Sequence, residues 1–143
     1  MDERADLPEL EVLDVGACLE LLGECSLGRV ALNERLGPIV VPVNYALDGD
    51  TIVFRTDEGA KLRGVETQPM SFQVDGFDEL RETGWSVLVR GVAHEVAEGE
   101  VAHLHLRSWA AGAKRHWVRL VPSVVTGRRV AAVELPFDDR GYR

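Results

Sequence analysis

Between Phe54 and Leu62 the chain reads Phe-Arg-Thr-Asp-Glu-Gly-Ala-Lys-Leu. The pattern predicts a strand ending on Arg55-Thr56, a short acidic turn, and a helical opening at Gly59 with Lys61 in its first turn. Backbone N–H groups at a helix start favour an anion. Arg55 offers a planar fork of donors, Thr56 a hydroxyl, and Lys61 a point charge. Gly59 lets the backbone approach closely. Together these groups suit a terminal phosphate dianion. The same spacing also suits a solvated loop in which Arg55 pairs with Asp57 or Glu58.

One hairpin arm away stands Pro42-Val43-Asn44-Tyr45, inside the apolar, β-branched run from Ile39 to Leu47. Proline has no N–H for a ladder, so Pro42 predicts an edge position or a bulge. A flat heterocycle needs an apolar surface with a few amides at its polar edge. Asn44 and the backbone around Pro42 supply both. A core strand with a satisfied Asn explains the same four residues equally well.

Other polar residues carry less. His103 and His105 sit two apart on a predicted helix and point to different faces, which makes a poor metal pair. His94 falls on a strand and His116 in a basic loop, and they read as surface or packing residues. Haem ligation by one of them is the lesser alternative. Asp75, Asp78, Glu79 and Glu82 read as a solvated acidic stretch, since EF-hand spacing is absent. Cys18 and Cys25 form no CxxC pair and read as reduced thiols. No Ser-His-Asp set has a recognisable spacing, so no catalytic triad is assigned. Trp109 reads as a packing residue.

The elements that must position these groups are mostly strands. Asp14 caps a predicted helix over 15–22 that stops at Gly23. Strands follow over 26–33, 39–47 and 51–56, with Asp48-Gly49-Asp50 as a tight turn between the last two. Helical turns are predicted over 58–65, a strand over 70–75, a polar connection over 76–84, and a long strand over 85–96. A helix over 98–108 and strands over 117–121 and 124–127 complete the chain. Consecutive strands without βαβ alternation predict a mainly antiparallel barrel with a few short helices. A chain of 143 residues fits one domain, here 13–135, between a flexible arm (1–12) and a mobile tail (136–143). No apolar run reaches the roughly 20 residues of a membrane span, and the acidic start is not a signal peptide. The expected location is the cytoplasm. A net charge of −8 disfavours nucleic acid and acidic membranes as partners. An anionic small molecule would need cations gathered locally, as they are near Arg55, Lys61 and Arg63.

The series GRVAL, GPIVVPVNYALDGDTIVFRTDEGAKL, PMSFQVDGFDE, GWSVLVRGVAHEV and WAAGAKRHWVRLVPSVVTGRR resembles the pyridoxamine 5'-phosphate oxidase-like family. It is closest in pattern to the small actinobacterial type, from about Leu13 to Arg129. The resemblance implies a six-stranded antiparallel split β-barrel that forms a homodimer, with FMN at the subunit interface. By this similarity Arg55, Thr56 and Lys61, with Leu62 beside them, hold the flavin phosphate. Pro42, Val43, Asn44 and Tyr45 would lie along the isoalloxazine ring. Trp85 and Ser86 would reach the ring from the partner subunit, and Trp117 and Arg119 would sit where a small-molecule substrate enters. The family's longer members carry a C-terminal segment that reads the substrate's own phosphate, and this chain lacks its motifs. Related split barrels hold a deazaflavin or haem in place of FMN. Three functions follow: an FMN-dependent oxidoreductase, a storage or sensing protein that binds the cofactor without turnover, or a cofactor-free dimeric barrel. No general base stands out, which suits hydride chemistry at a flavin.

Overall fold

Apolar residues alternate along most of the chain, and alternation with period two is what a strand needs to cover one face. The computed structural model describes residues 10–56, 69–106 and 116–131. Seven strands appear there: β1 (Leu10–Leu13), β2 (Leu27–Glu34), β3 (Gly37–Asp48), β4 (Thr51–Thr56), β5 (Pro69–Asp78), β6 (Thr83–Val96) and β7 (His116–Val130). Every pairing is antiparallel. The order is β1-β7-β4-β3-β2-β5-β6, and β6 pairs back onto β7. Six strands therefore close a ring, which leaves open edges only where neighbouring strands part. β1 adds to β7 beyond the end of β4.

The ring is filled by side chains from alternate positions. Ile52, Phe54, Phe72, Val87, Val89 and Leu120 are all at most 1% exposed. Helix α1 (Val15–Glu24) packs against β7, β3 and β6. Asp14 caps it by accepting from the Ala17 N–H at 2.8 Å, as the sequence predicts, and Cys18, Leu21 and Leu22 form its buried face. The Asp48-Gly49-Asp50 turn is also as predicted: β3 and β4 meet at Asp48 and Thr51. Gly49 takes φ 63° there, a value that suits glycine at the first position of a tight hairpin turn.

Four elements differ from the sequence reading. Leu10–Leu13 is a strand on β7, where the sequence suggests a loose arm. The expected connection over 76–84 shrinks to 79–82, because Gly76, Phe77 and Asp78 pair with Trp85, Gly84 and Thr83. The expected helix over 98–108 is a 3₁₀ turn at Glu98–Glu100 followed by bends and coil to residue 106. Gly99 lowers helix propensity, and the i, i+3 spacing of Val101 and Leu104 suits a tighter turn. Finally, β7 is one strand and not two. Arg90 pairs with Val124 and Gly91 with Pro122, so Ser123 is the extra residue of a bulge that absorbs the proline. The expected helical turns at 58–65, the tail from 136, and Trp109 lie outside the described residues.

Ladder lengths matter most for the site. β3 and β4 pair only from Tyr45/Phe54 to Asp48/Thr51. Beyond that point β3 runs on with β2, from Asn44/Leu27 to Gly37/Glu34. β4 runs on with β7, through Arg55/Trp117 and Thr56/His116. The sheet forks here. Pro42 lies on the β3 prong, which pairs with β2 alone among the described residues, so it holds the edge position expected of it.

Candidate functional site: the β3–β4 fork and its outer belt

The fork brings two predicted groups of residues together. Tyr45 and Phe54 are paired and point into the barrel, at 3% and 1% exposure. The pleat therefore sends their neighbours Asn44 and Arg55 to the outer face side by side. Pro42 shares that face and is exposed, whereas Asn44 is buried. The Asn44 Nδ2 donates to the Ser26 carbonyl at 3.4 Å, and the same oxygen accepts from the Tyr45 N–H at 3.0 Å. The start of β2 thus fixes the amide. Arg55 lies over the Trp117 ring, 4.7 Å from its centroid, and Thr56 ends the strand next to it. Lys61 and Leu62, the other half of the expected phosphate cradle, lie outside the described residues.

The same parity assigns Val43 and Tyr45 elsewhere. Both side chains belong to the barrel core, so only their backbone is available to the outer face. The Tyr45 hydroxyl donates to the Leu22 carbonyl at the end of α1, and its ring meets Phe72 edge-on at 4.8 Å. Burial, then the nearby Cys25, pushes the phenol well above its ordinary value. It is a neutral pin between strand and helix.

From Pro42 the outer face continues across β2, β5 and β6. Pro42 pairs with Arg29, and Arg29 with Gln73. The Arg29 guanidinium reaches Asp75 at 3.4 Å. The Gln73 Nε2 donates to Asp75 at 3.0 Å and to the Ser86 Oγ at 3.2 Å. A cleft of about 310 Å³ runs between Arg29, Pro42 and Asp75. Asp75 is therefore part of a strand network and not of a solvated acidic loop. Arg29, Gln73 and Asp75 escaped sequence reasoning. Their only sequence signal is alternation in GRVAL and MSFQVD, and alternation does not say which strands pair. Trp85 does not share the belt: one residue before Ser86, it turns to the barrel side of β6 and packs against the core, across Gly76, where an added Cβ would come 2.6 Å from its indole nitrogen. It lines, with Ser86, Phe77, Leu10 and Val130, a largely apolar groove of about 610 Å³. Within one protomer Trp85 and the fork do not meet.

Arg119 has a structural task. It bonds Asp48 at 2.9 Å and the Thr51 hydroxyl at 2.6 Å, and its side chain is 17% exposed. His103 reaches the other Asp48 oxygen at 3.1 Å. These two bonds, His103 first, hold the Asp48 carboxyl below its ordinary range. His116 pairs with Glu95 at 2.6 Å. Among the described residues no cluster of His, Cys, Asp or Glu has the make-up of a metal site, and no helix is long and apolar enough to cross a membrane.

A closed six-stranded antiparallel barrel whose β3–β4 hairpin forks has the architecture of a split barrel. The family model described as pyridoxamine 5'-phosphate oxidase matches residues 14–129, and the chain belongs to that family. It is 32% identical over 133 residues to the uncharacterized protein Rv0080 of Mycobacterium tuberculosis, covering 87% of this chain and 88% of that one. A candidate pyridoxamine 5'-phosphate oxidase of Corynebacterium glutamicum is 31% identical, with a TM-score of 0.77 and 94% and 99% of the two chains covered. An FAD binding protein of Mycobacterium smegmatis is 33% identical, with a TM-score of 0.67 over 86% of this chain and 100% of that one.

Proposed function

We propose that this chain is a cytoplasmic flavoprotein that binds FMN at the fork and acts as an oxidoreductase on a small molecule. The observation that carries the reading is the register at the fork, which sets Arg55 beside Asn44 and Pro42 on one outer surface, with Thr56 next in the chain at the end of the strand. The donor set fits a flavin nucleotide. A guanidinium and a hydroxyl suit a phosphate, with Lys61 as the third donor. A proline ring and a fixed amide suit the edge of a flat heterocycle. The FAD-binding relative supports a flavin, and the same donors suit the phosphates of FAD. A bound flavin supplies the redox chemistry, and the protein binds, orients and shields it.

The outer face of β6 and β7 supports a second copy as partner. Leu88, Val92, Val121 and Val124 are between 37% and 49% exposed there, and they lie on the same face as Ser86. Four partly exposed apolar side chains gathered around Arg90 on one face suit an interface. On this reading Trp85 and Ser86 of one protomer approach the flavin held by the other.

The phosphate is the testable part. Arg55→Ala and Lys61→Ala each weaken FMN binding by about 1.5–3 kcal/mol, the scale of a charge-assisted hydrogen bond. Riboflavin, which has no phosphate, binds both variants like the wild type. Titrations followed by flavin fluorescence read this directly. Equal losses for the two ligands, or a purified protein that takes up neither, would refute the assignment.

A further inference from the structure

Arg55 does not stand by itself at the fork. Its guanidinium carbon is 4.7 Å from the centroid of Trp117, directly across the β4–β7 ladder. A guanidinium over an indole is attracted by the ring's quadrupole, and its plane stacks on the ring. The stack narrows the directions in which the arginine fork can point.

The indole is itself held. Val53, Val96 and Val101 form a second buried cluster, and Leu104 and Trp117 pack against it. Val53 and Val101 are fully covered, because the 3₁₀ turn and the coil behind it fold over β4. That segment is anchored at His103, which reaches Asp48 at 3.1 Å. Asp48 is fixed in turn by Arg119 at 2.9 Å, and Arg119 by Thr51 at 2.6 Å. The clamp therefore sits at the hairpin turn of β3 and β4, away from the fork, yet it closes on the residue that Arg55 rests against.

We infer that Trp117 is a positioning residue for Arg55, seated by the segment that His103 latches to Asp48. The inference rests on the reading of Arg55 as the grip for a flavin phosphate. Its consequence is selective. Loss of the indole face lets the guanidinium turn away and weakens phosphate recognition, while the surface offered to the ring system stays as it was.

The test uses apo protein titrated with FMN and, separately, with riboflavin. Arg55→Ala is the gauge: if it weakens both ligands equally, the phosphate reading itself falls. With that gauge discriminating, Trp117→Leu lowers FMN affinity about 2- to 5-fold, the scale of a cation–π contact, and leaves riboflavin unchanged. Trp117→Phe, which keeps an aromatic face, restores most of the loss. Trp117→Leu affecting the two ligands alike, or neither, overturns the positioning role. Should Trp117→Leu not fold, Trp117→Met carries the same comparison, with the same two outcomes.

Discussion

Replacing Tyr45 with phenylalanine separates the core of this protein from its site. The ring stays, so the contact with Phe72 at 4.8 Å persists and no cavity opens. What is lost is the hydroxyl that donates to the Leu22 carbonyl at 2.5 Å, at a residue only 3% exposed. A net hydrogen bond contributes about 1 kcal/mol, and a buried acceptor left without its donor costs about 1–3 kcal/mol. The Leu22 oxygen keeps a second donor, the Cys25 N–H, at 3.4 Å, which is long and replaces the lost bond only in part. The expected loss is therefore about 1–2 kcal/mol, or roughly 3–8 °C in Tm for a domain of this size. Thermal unfolding followed by circular dichroism measures it. The wild type also has an alkaline signature. The folded phenol titrates above the unfolded one, whose pKa is about 10. Below that value the contribution is fully present, and it is lost as pH rises through the folded pKa. Tyr45→Phe lacks this dependence. Flavin affinity is unchanged in the variant, because the hydroxyl faces α1 and not the belt. An unaltered Tm, or a selective loss of flavin, would refute this placement of Tyr45.

Two further outcomes follow from the barrel itself. At Gly91 an added Cβ would lie 2.0 Å from the Val121 carbonyl oxygen, a backbone atom fixed by the bulge. Gly91→Ala is expected to cost about 3 kcal/mol or more, at the upper end for overpacking, and to lower the urea midpoint accordingly; an unchanged midpoint would mean that the strands are not this close at the bulge. On the outer face, Val124 is 49% exposed, and Val124→Asp places a charge in the proposed dimer interface. Light scattering at several dilutions then shows a dimer for the wild type and a monomer for the variant, whereas a wild-type monomer that still binds flavin would refute the shared site.

Much of the local architecture is legible in the residues alone. Asp14 caps the helix it precedes, Asp48-Gly49-Asp50 makes the turn between two apolar runs, and Thr51–Thr56 is the strand that closes the hairpin after that turn. These features depend on neighbours in sequence, so short-range sterics and hydrogen bonding settle them. The edge position of Pro42 is legible for the same reason, since a missing N–H acts wherever the strand is placed. The segment after Val96 is not legible in the sequence, because Gly99 and the spacing of Val101 and Leu104 allow both a helix and a 3₁₀ turn, and only packing on Val53 and Trp117 decides between them.

What the chain determined by itself is an antiparallel β protein with cations at the end of β4 and a proline-marked strand beside them. The closed ring decided the rest, because it alone sets which faces turn inward and which distant strands become neighbours. It turned Val43 and Tyr45 into the core and left Pro42, Asn44 and Arg55 outside. It also brought Arg29 to Asp75, 46 residues away, and Asp48 to Arg119, 71 residues away. No local pattern encodes such pairings, since their free energy comes from burying the interior of the whole barrel at once.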